Sequence, residues 1–159
     1  MKTSLYLVGL CIILSGCLNR KPVQNTIWVF DKEEVLSDNE EATLNEIITR
    51  FERETTNEIV IVTTPDIGEH EKMVSYAVEF GDSLGVGKRN KNNGLVIVFS
   101  STLRETFIAT GLGIEDILTD SICQMIVDED MVPNFKDGNY YEGIEGGLNE
   151  CIRIWKENE

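Results

Sequence analysis

The chain has 159 residues and a formal net charge of −14, from 14 Lys and Arg against 28 Asp and Glu. That length suits one domain, and a hydrophobic content of 42% fits a folded chain rather than a disordered one. So acidic a surface argues against nucleic acid and anionic headgroups as direct partners and favours cations.

His70 is the one histidine, which excludes any site built from two. The cysteines are Cys11, Cys17, Cys123 and Cys151, with no CxxC pair and hence no zinc ribbon. The chain opens with Lys2 and an apolar run from Leu5 to Leu14. The run is too short to span a bilayer as a mature helix and has the length of a signal-peptide core. It ends in Leu14-Ser15-Gly16-Cys17, which resembles a bacterial lipobox. The small residues give a peptidase access to the backbone, and the Cys17 thiol is the nucleophile that takes up diacylglycerol. Residues 1–16 are therefore expected to be a lipoprotein signal peptide and 17–25 a tether, with one domain over 26–157. Cleavage removes Lys2 alone among the charges, leaving 13 basic and 28 acidic residues and a net charge of −15.

In chain order, Ile27–Phe30 reads as a short strand. Ser37 and Glu40 form a capping box, and Leu44, Ile47, Ile48 and Phe51 make one apolar stripe on a helix over about 38–55. Glu58–Thr64 is β-branched and nearly all apolar, the pattern of a strand covered on both faces. Met73, Tyr76, Ala77, Phe80 and Leu84 space a second helix ending at Gly85-Val86-Gly87. Lys88–Lys91 is the only basic cluster of the mature domain. Leu95–Phe99 and Glu105–Thr110 are strands joined closely enough to be an antiparallel hairpin. Thr119 or Asp120 caps a third helix that Pro133 is expected to stop. Tyr141, Ile144, Leu148, Cys151 or Ile152, and Trp155 space the last helix. Strands alternating with helices imply an α/β layered domain. Cys123 and Cys151 both fall in apolar helical patterns. Their spacing leaves buried free thiols and a disulfide both open.

Several strings imitate catalytic motifs. Gly81-Asp82-Ser83-Leu84-Gly85 fits G-x-S-x-G and the Gly-Asp-Ser-Leu esterase string, but it ends a helix, and His70 lies upstream of Ser83. Gly85-Val86-Gly87-Lys88 lacks the spacing of a phosphate loop, and Asp116 stands where Gly111-Leu112-Gly113 would need a third dinucleotide-binding glycine. No nucleotide cofactor is expected. Asp128-Glu129-Asp130 opens like an EF-hand but lacks the glycine at loop position six.

Taken together, Gly85-Val86-Gly87-Lys88, Asn93-Gly94 with the strand after it, and Gly111-Leu112-Gly113-Ile114-Glu115 resemble the TPM domain family. Leu118-Thr119-Asp120, Val132-Pro133-Asn134-Phe135 and Asp137-Gly138-Asn139-Tyr140 extend the resemblance, as do Phe30-Asp31 and Val35-Leu36-Ser37. It runs from about residue 27 to 156. The family includes a thylakoid lumen protein, a photosystem repair factor, an animal receptor-associated membrane protein and bacterial envelope proteins. The resemblance implies a three-layer α/β/α sandwich on a mixed four-stranded sheet, beside a membrane. It also implies divalent-metal binding, phosphatase activity, or repair and assembly of membrane complexes.

The expectation that follows is a lipid-anchored envelope protein, in the cell membrane or outer membrane and facing the periplasm or exterior. It would be a divalent-metal-binding interaction or maintenance module with an envelope protein partner. Loop carboxylates suit a hard cation such as Ca²⁺, and Asp31, Glu115 and Asp120 are the candidate ligands. For Asp120 a helix N-cap is the plain alternative, and for Glu115 a solvated first-turn acid. The alternative function is a metal-assisted phosphatase, although no phosphatase motif is present and Lys88, Arg89 and Lys91 are the only nearby cations. Tyr140 and Tyr141 are either core or part of a protein-binding surface.

Overall fold

A computed structural model of the chain describes residues 27–87 and 90–159. The expected signal peptide and tether, with Cys11 and Cys17, and the pair Lys88–Arg89 lie outside the described residues. Strands β1 (Val29–Asp31), β2 (Glu58–Thr63), β3 (Gly94–Ser100) and β4 (Glu105–Thr110) form one sheet in the order β1-β2-β3-β4. The first three are parallel and β4 runs antiparallel to β3, which is the mixed sheet expected.

The helices are α1 (Asp38–Thr55), α2 (Met73–Leu84), α3 (Asp120–Ile126), α4 (Val132–Lys136) and α5 (Tyr140–Asn158). Helix α1 starts where the capping box sets it. The Ser37 N–H donates to the Glu40 carboxylate at 2.6 Å, and the Glu40 N–H donates to Ser37 Oγ at 3.4 Å. Strand β1 begins two residues later than its apolar run suggests. Ile27 is exposed, and the Trp28 N–H is taken by Asn45 Oδ1 of α1.

Side chains alternate between two cores of unequal size. Ile59, Ile61, Leu95, Ile97 and Phe99 face α1, α3, α4 and α5; Val62, Val96 and Val98 face α2 alone. All seven residues of β3 are buried. On the larger side Phe51 of α1 meets Trp155 of α5 with ring centroids 5.3 Å apart. Each such buried side chain contributes roughly 1.5–3 kcal/mol. Both parallel connections step the same way across the sheet, yet their helices lie on opposite faces. The two crossovers therefore have opposite hands, and one is the rare left-handed kind.

Pro133 does not stop the third helix. The chain passes from α3 through a π-helical turn (Val127–Met131) into α4, whose first turn contains Pro133. The wider ring is closed by the Val132 N–H on the Val127 carbonyl, and a first-turn proline has no intrahelical N–H to forfeit. Cys123 and Cys151 are buried free thiols. Burial pushes the Cys123 thiol up to about 11 and raises that of Cys151 as well, so both stay protonated and unreactive.

The glycine strings of the family resemblance meet at the amino-terminal ends of β2 and β3. A Cβ on Gly94 would come within 2.7 Å of the Val86 carbonyl, and one on Gly111 or Gly113 would run into the carbonyls of Asn92 and Lys91. They are packing positions where backbone lies on backbone. Gly113→Ala should therefore destabilise the fold by on the order of 2 kcal/mol, read as a lower denaturant midpoint by circular dichroism. An unchanged midpoint would show that the loop yields freely.

Candidate functional site

In sheets with parallel strands, ligands meet the protein beyond the carboxyl ends. Here the ends of β1, β2 and β3 are joined by a chain of polar contacts. Asp31 closes β1. Its carboxylate accepts from the Thr63 hydroxyl at the end of β2 and from the Leu36 N–H at 2.8 Å. Thr63 Oγ1 in turn accepts from the Glu33 N–H at 3.1 Å. The Glu33 carboxylate reaches the β3–β4 turn, where it accepts from the N–H groups of Ser101 and Thr102 at 2.9 and 3.1 Å and from both hydroxyls. One acid thus holds a turn 68 residues away.

Beside this network lies a groove of about 860 Å³ between the start of α2, the β3–β4 hairpin and α4. Its floor is aromatic. Phe99 packs on Phe135 at 4.3 Å and on Tyr140 at 5.1 Å between centroids. Three cations stand around it, Lys72, Arg104 and Lys136, with Glu105 as the one carboxylate in the lining. Among the described residues none of these three cationic side chains has an ion pair or hydrogen bond. Elsewhere, by contrast, Lys156 and Arg153 are bound to carboxylates. Tyr140, left open between core and surface by its sequence, lines the groove while packing on the core.

A second, shallower hollow of about 630 Å³ adjoins the end of β2. Lys32 Nζ donates to the Tyr76 hydroxyl there at 2.9 Å and sits over the Phe80 ring, and His70 Nε2 lies 3.5 Å from Glu79.

The structure does not bring the three candidate metal ligands together. Asp31 is at the carboxyl end of β1, on one edge of the sheet. Glu115 and Asp120 follow β4 at the other edge and the opposite end, and both are exposed. Asp120 opens α3, and the cap itself is Thr119, whose Oγ1 accepts from the Ile122 N–H at 3.3 Å. Among the described residues no group of three or more His, Cys, Asp or Glu is disposed to hold a cation. These residues do not fit one three-carboxylate Ca²⁺ site. Ser83 is not placed as a nucleophile either. Its hydroxyl donates to the Phe80 carbonyl at the end of α2, and Gly81 lies against Val96. Sequence reasoning passed over Glu33, Lys72, Arg104 and Lys136. They stand far apart along the chain, and no local pattern links them.

A family model for the TPM domain matches residues 29–154. The chain belongs to that family. The N-terminal domain of a protein from P. gingivalis has a similar structure, with a TM-score of 0.76, 28% identity and 85% of each chain covered. A protein from the psychrophilic bacterium Bizionia argentinensis follows at a TM-score of 0.66 and 21% identity, with 79% of this chain and 85% of that one covered. The N-terminal domain of a Corynebacterium glutamicum protein shares the fold at a TM-score of 0.63 and 12% identity, with 89% and 86% covered. No curated protein matches the chain.

In this TPM domain Asp31 acts as a brace. Asp31→Asn replaces one of two acceptors by a donor and should cost about 1–3 kcal/mol in metal-free, EDTA-treated protein. Glu115→Gln and Asp120→Asn should stay within about 0.5 kcal/mol of the parent. Denaturant melts compare the three, and equal tolerance at Asp31 would mean that the network does not hold the strand ends.

Proposed function

We propose that this TPM-domain protein is a lipid-anchored binding module of the cell envelope and works without catalysis, taking its ligand in the groove between α2 and α4. The observation that carries this reading is the set of three cations without carboxylate partners, gathered around one aromatic-floored groove on a chain of net charge −14. Such a groove suits an anionic ligand held by charge and shape. Its two serine hydroxyls already have structural tasks. Ser100 Oγ accepts from the Leu103 N–H, and Ser101 Oγ donates to Glu33. The metal-assisted phosphatase would use the same cations for phosphate, but no cation-holding carboxylate group stands beside them among the described residues.

Cys17 supplies the anchor in this proposal. Its support is the lipobox together with the path of the chain. The tether leads to the start of β1, whose amino end lies at the opposite end of the sheet from the groove. The stretch from Cys17 to Thr26, about ten residues, reaches at most about 35 Å. The anchored domain would then turn its groove away from the lipid.

Two measurements check the proposal. Cells fed an alkynyl fatty acid should label the parent and not Cys17→Ala, with the variant leaving the membrane fraction. Purified protein should show no hydrolysis of p-nitrophenyl phosphate with Mg²⁺ or Ca²⁺. Turnover that falls by about tenfold or more in Arg104→Ala would establish the phosphatase instead.

A further inference from the structure

The floor of the groove includes a sheet edge. Strand β4 is last in the sheet, and its pairing with β3 fixes which backbone groups look outward. The Gly111 N–H donates to the Gly94 carbonyl at 2.8 Å, so that pair is a hydrogen-bonded one. By the antiparallel alternation, Ala109, Phe107 and Glu105 also bond to β3, opposite Val96, Val98 and Ser100. The N–H and C=O groups of Thr106, Ile108 and Thr110 must then point away from the sheet. Among the described residues nothing bonds to them.

Sheets protect their edges with short strands, charges, prolines or a covering element. The other edge follows this rule, since β1 has three residues. Strand β4 has six, ETFIAT, with no proline and a single charge at its start. It lies between α2 on one face and the π-helical turn and α3 on the other. On α2, Val74 and Val78 are one turn apart and are 37% and 50% exposed. The groove runs along the start of this edge, with Lys72 and Val74 on the α2 side and Phe135 and Lys136 on the α4 side.

We propose that the outer edge of β4 is a strand-addition site, and that its occupant is an extended segment of a partner protein that carries carboxylates. This rests on the binding-module reading and names its ligand class. An added strand satisfies the outward groups of Thr106, Ile108 and Thr110 by main-chain hydrogen bonds. Its side chains alternate between the two walls. Apolar ones cover Val74 and Phe135, and carboxylates reach Lys72 on one wall and Lys136 on the other, with Arg104 at the turn. Two other occupants fit less well. The chain's own N-terminal segment enters at β1, on the opposite edge. A second copy would bring two chains of net charge −14 together and offer its own β4, with one acid, to three cations.

The test uses the full chain, purified from membranes in detergent, and a fluorescein-labelled peptide of about eight residues in which glutamates are interspersed with valine and threonine. Fluorescence anisotropy should show saturable binding. Methylating one alternate set of the peptide's amide nitrogens should weaken it by about tenfold or more, while methylating the other set leaves it nearly intact, since only one set faces β4. Replacing glutamate by glutamine, or combining Lys72→Glu, Arg104→Glu and Lys136→Glu, should weaken it by about tenfold or more as well. Thr106→Pro removes an outward N–H that β3 does not use and should block binding with the far-ultraviolet spectrum unchanged. Should that variant misfold, the methylated peptides decide alone.

Equal loss from both methylated sets, equal binding of the glutamine peptide, or no saturable binding would each overturn the proposal. So would a dimer in sedimentation that Thr106→Pro abolishes, because the edge would then belong to a second copy. Phosphatase turnover would sink the binding-module reading while leaving these outcomes to be read separately.

Discussion

The sheet is covered on both faces, and β3 is buried at every one of its residues. That constraint orders the rest of the molecule. A buried strand can carry neither an uncompensated charge nor an unpaired polar group, so β2 and β3 are aliphatic through their middles, Ile59–Val62 and Leu95–Val98, and their backbone is consumed in the ladder. Polar chemistry is pushed to the ends of the sheet and to its edges. The two ends then diverge. At the amino ends the glycine strings let three loops lie backbone on backbone, and the Asn93 side chain donates to the Thr56 carbonyl and to Asn57, closing that end. At the carboxyl ends the loops are held apart by side chains, and a groove remains.

Holding the open end takes carboxylates. Asp31 and Glu33 have the residue type and position of cation ligands, yet each accepts hydrogen bonds from the protein. Asp31 joins β1 to β2, and Glu33 spans to the β3–β4 turn. An ion pair or metal would draw a loop inward with comparable force but would need several acids at one point, with their mutual repulsion. Donation from backbone N–H groups needs one acid per loop and suits a chain already far on the acidic side. The cations Lys72, Arg104 and Lys136 are left outside this network, which is why they face the groove with little to neutralise them.

Much of this fold was legible in the sequence. The α1 boundaries follow from a capping box and a 3.6-residue stripe, and the hairpin from two β-branched runs with a short polar turn. Both signals are local. The misreadings were of features that no regular local pattern marks. Pro133 reads as a stop because proline breaks a regular helix, but the π-helical turn before it converts the position into a helix start. Nothing local marks that α1 and α2 sit on opposite faces with crossovers of opposite hand. The family's glycine strings were visible, but their role as a packing knot was not. The groove was illegible for the same reason. Its cations come from the starts of α2 and β4 and the end of α4, and only the tertiary fold makes them neighbours. Asp31, Glu115 and Asp120 were grouped by residue type and loop position, and the width of the sheet lies between Asp31 and the other two.

A cationic groove on an acidic protein imposes its own selection on ligands. At long range the net charge of −14 repels a carboxylate-bearing segment; near the groove three cations attract it. At physiological ionic strength the screening length is about 8 Å, close to the dimensions of the groove itself. Charges on the far side of the domain are then largely screened, and the local cations are felt only by a segment already near the edge of β4. Association would gain little from steering, unlike a surface of uniform sign. In the proposed strand addition, affinity would come from short-range terms: main-chain pairing along β4, apolar cover over Val74 and Phe135, and a few charge contacts partly shielded from water. The proposed Cys17 anchor would suit that regime, because a partner confined to the same membrane would meet the domain at high local concentration and need not be captured from a distance.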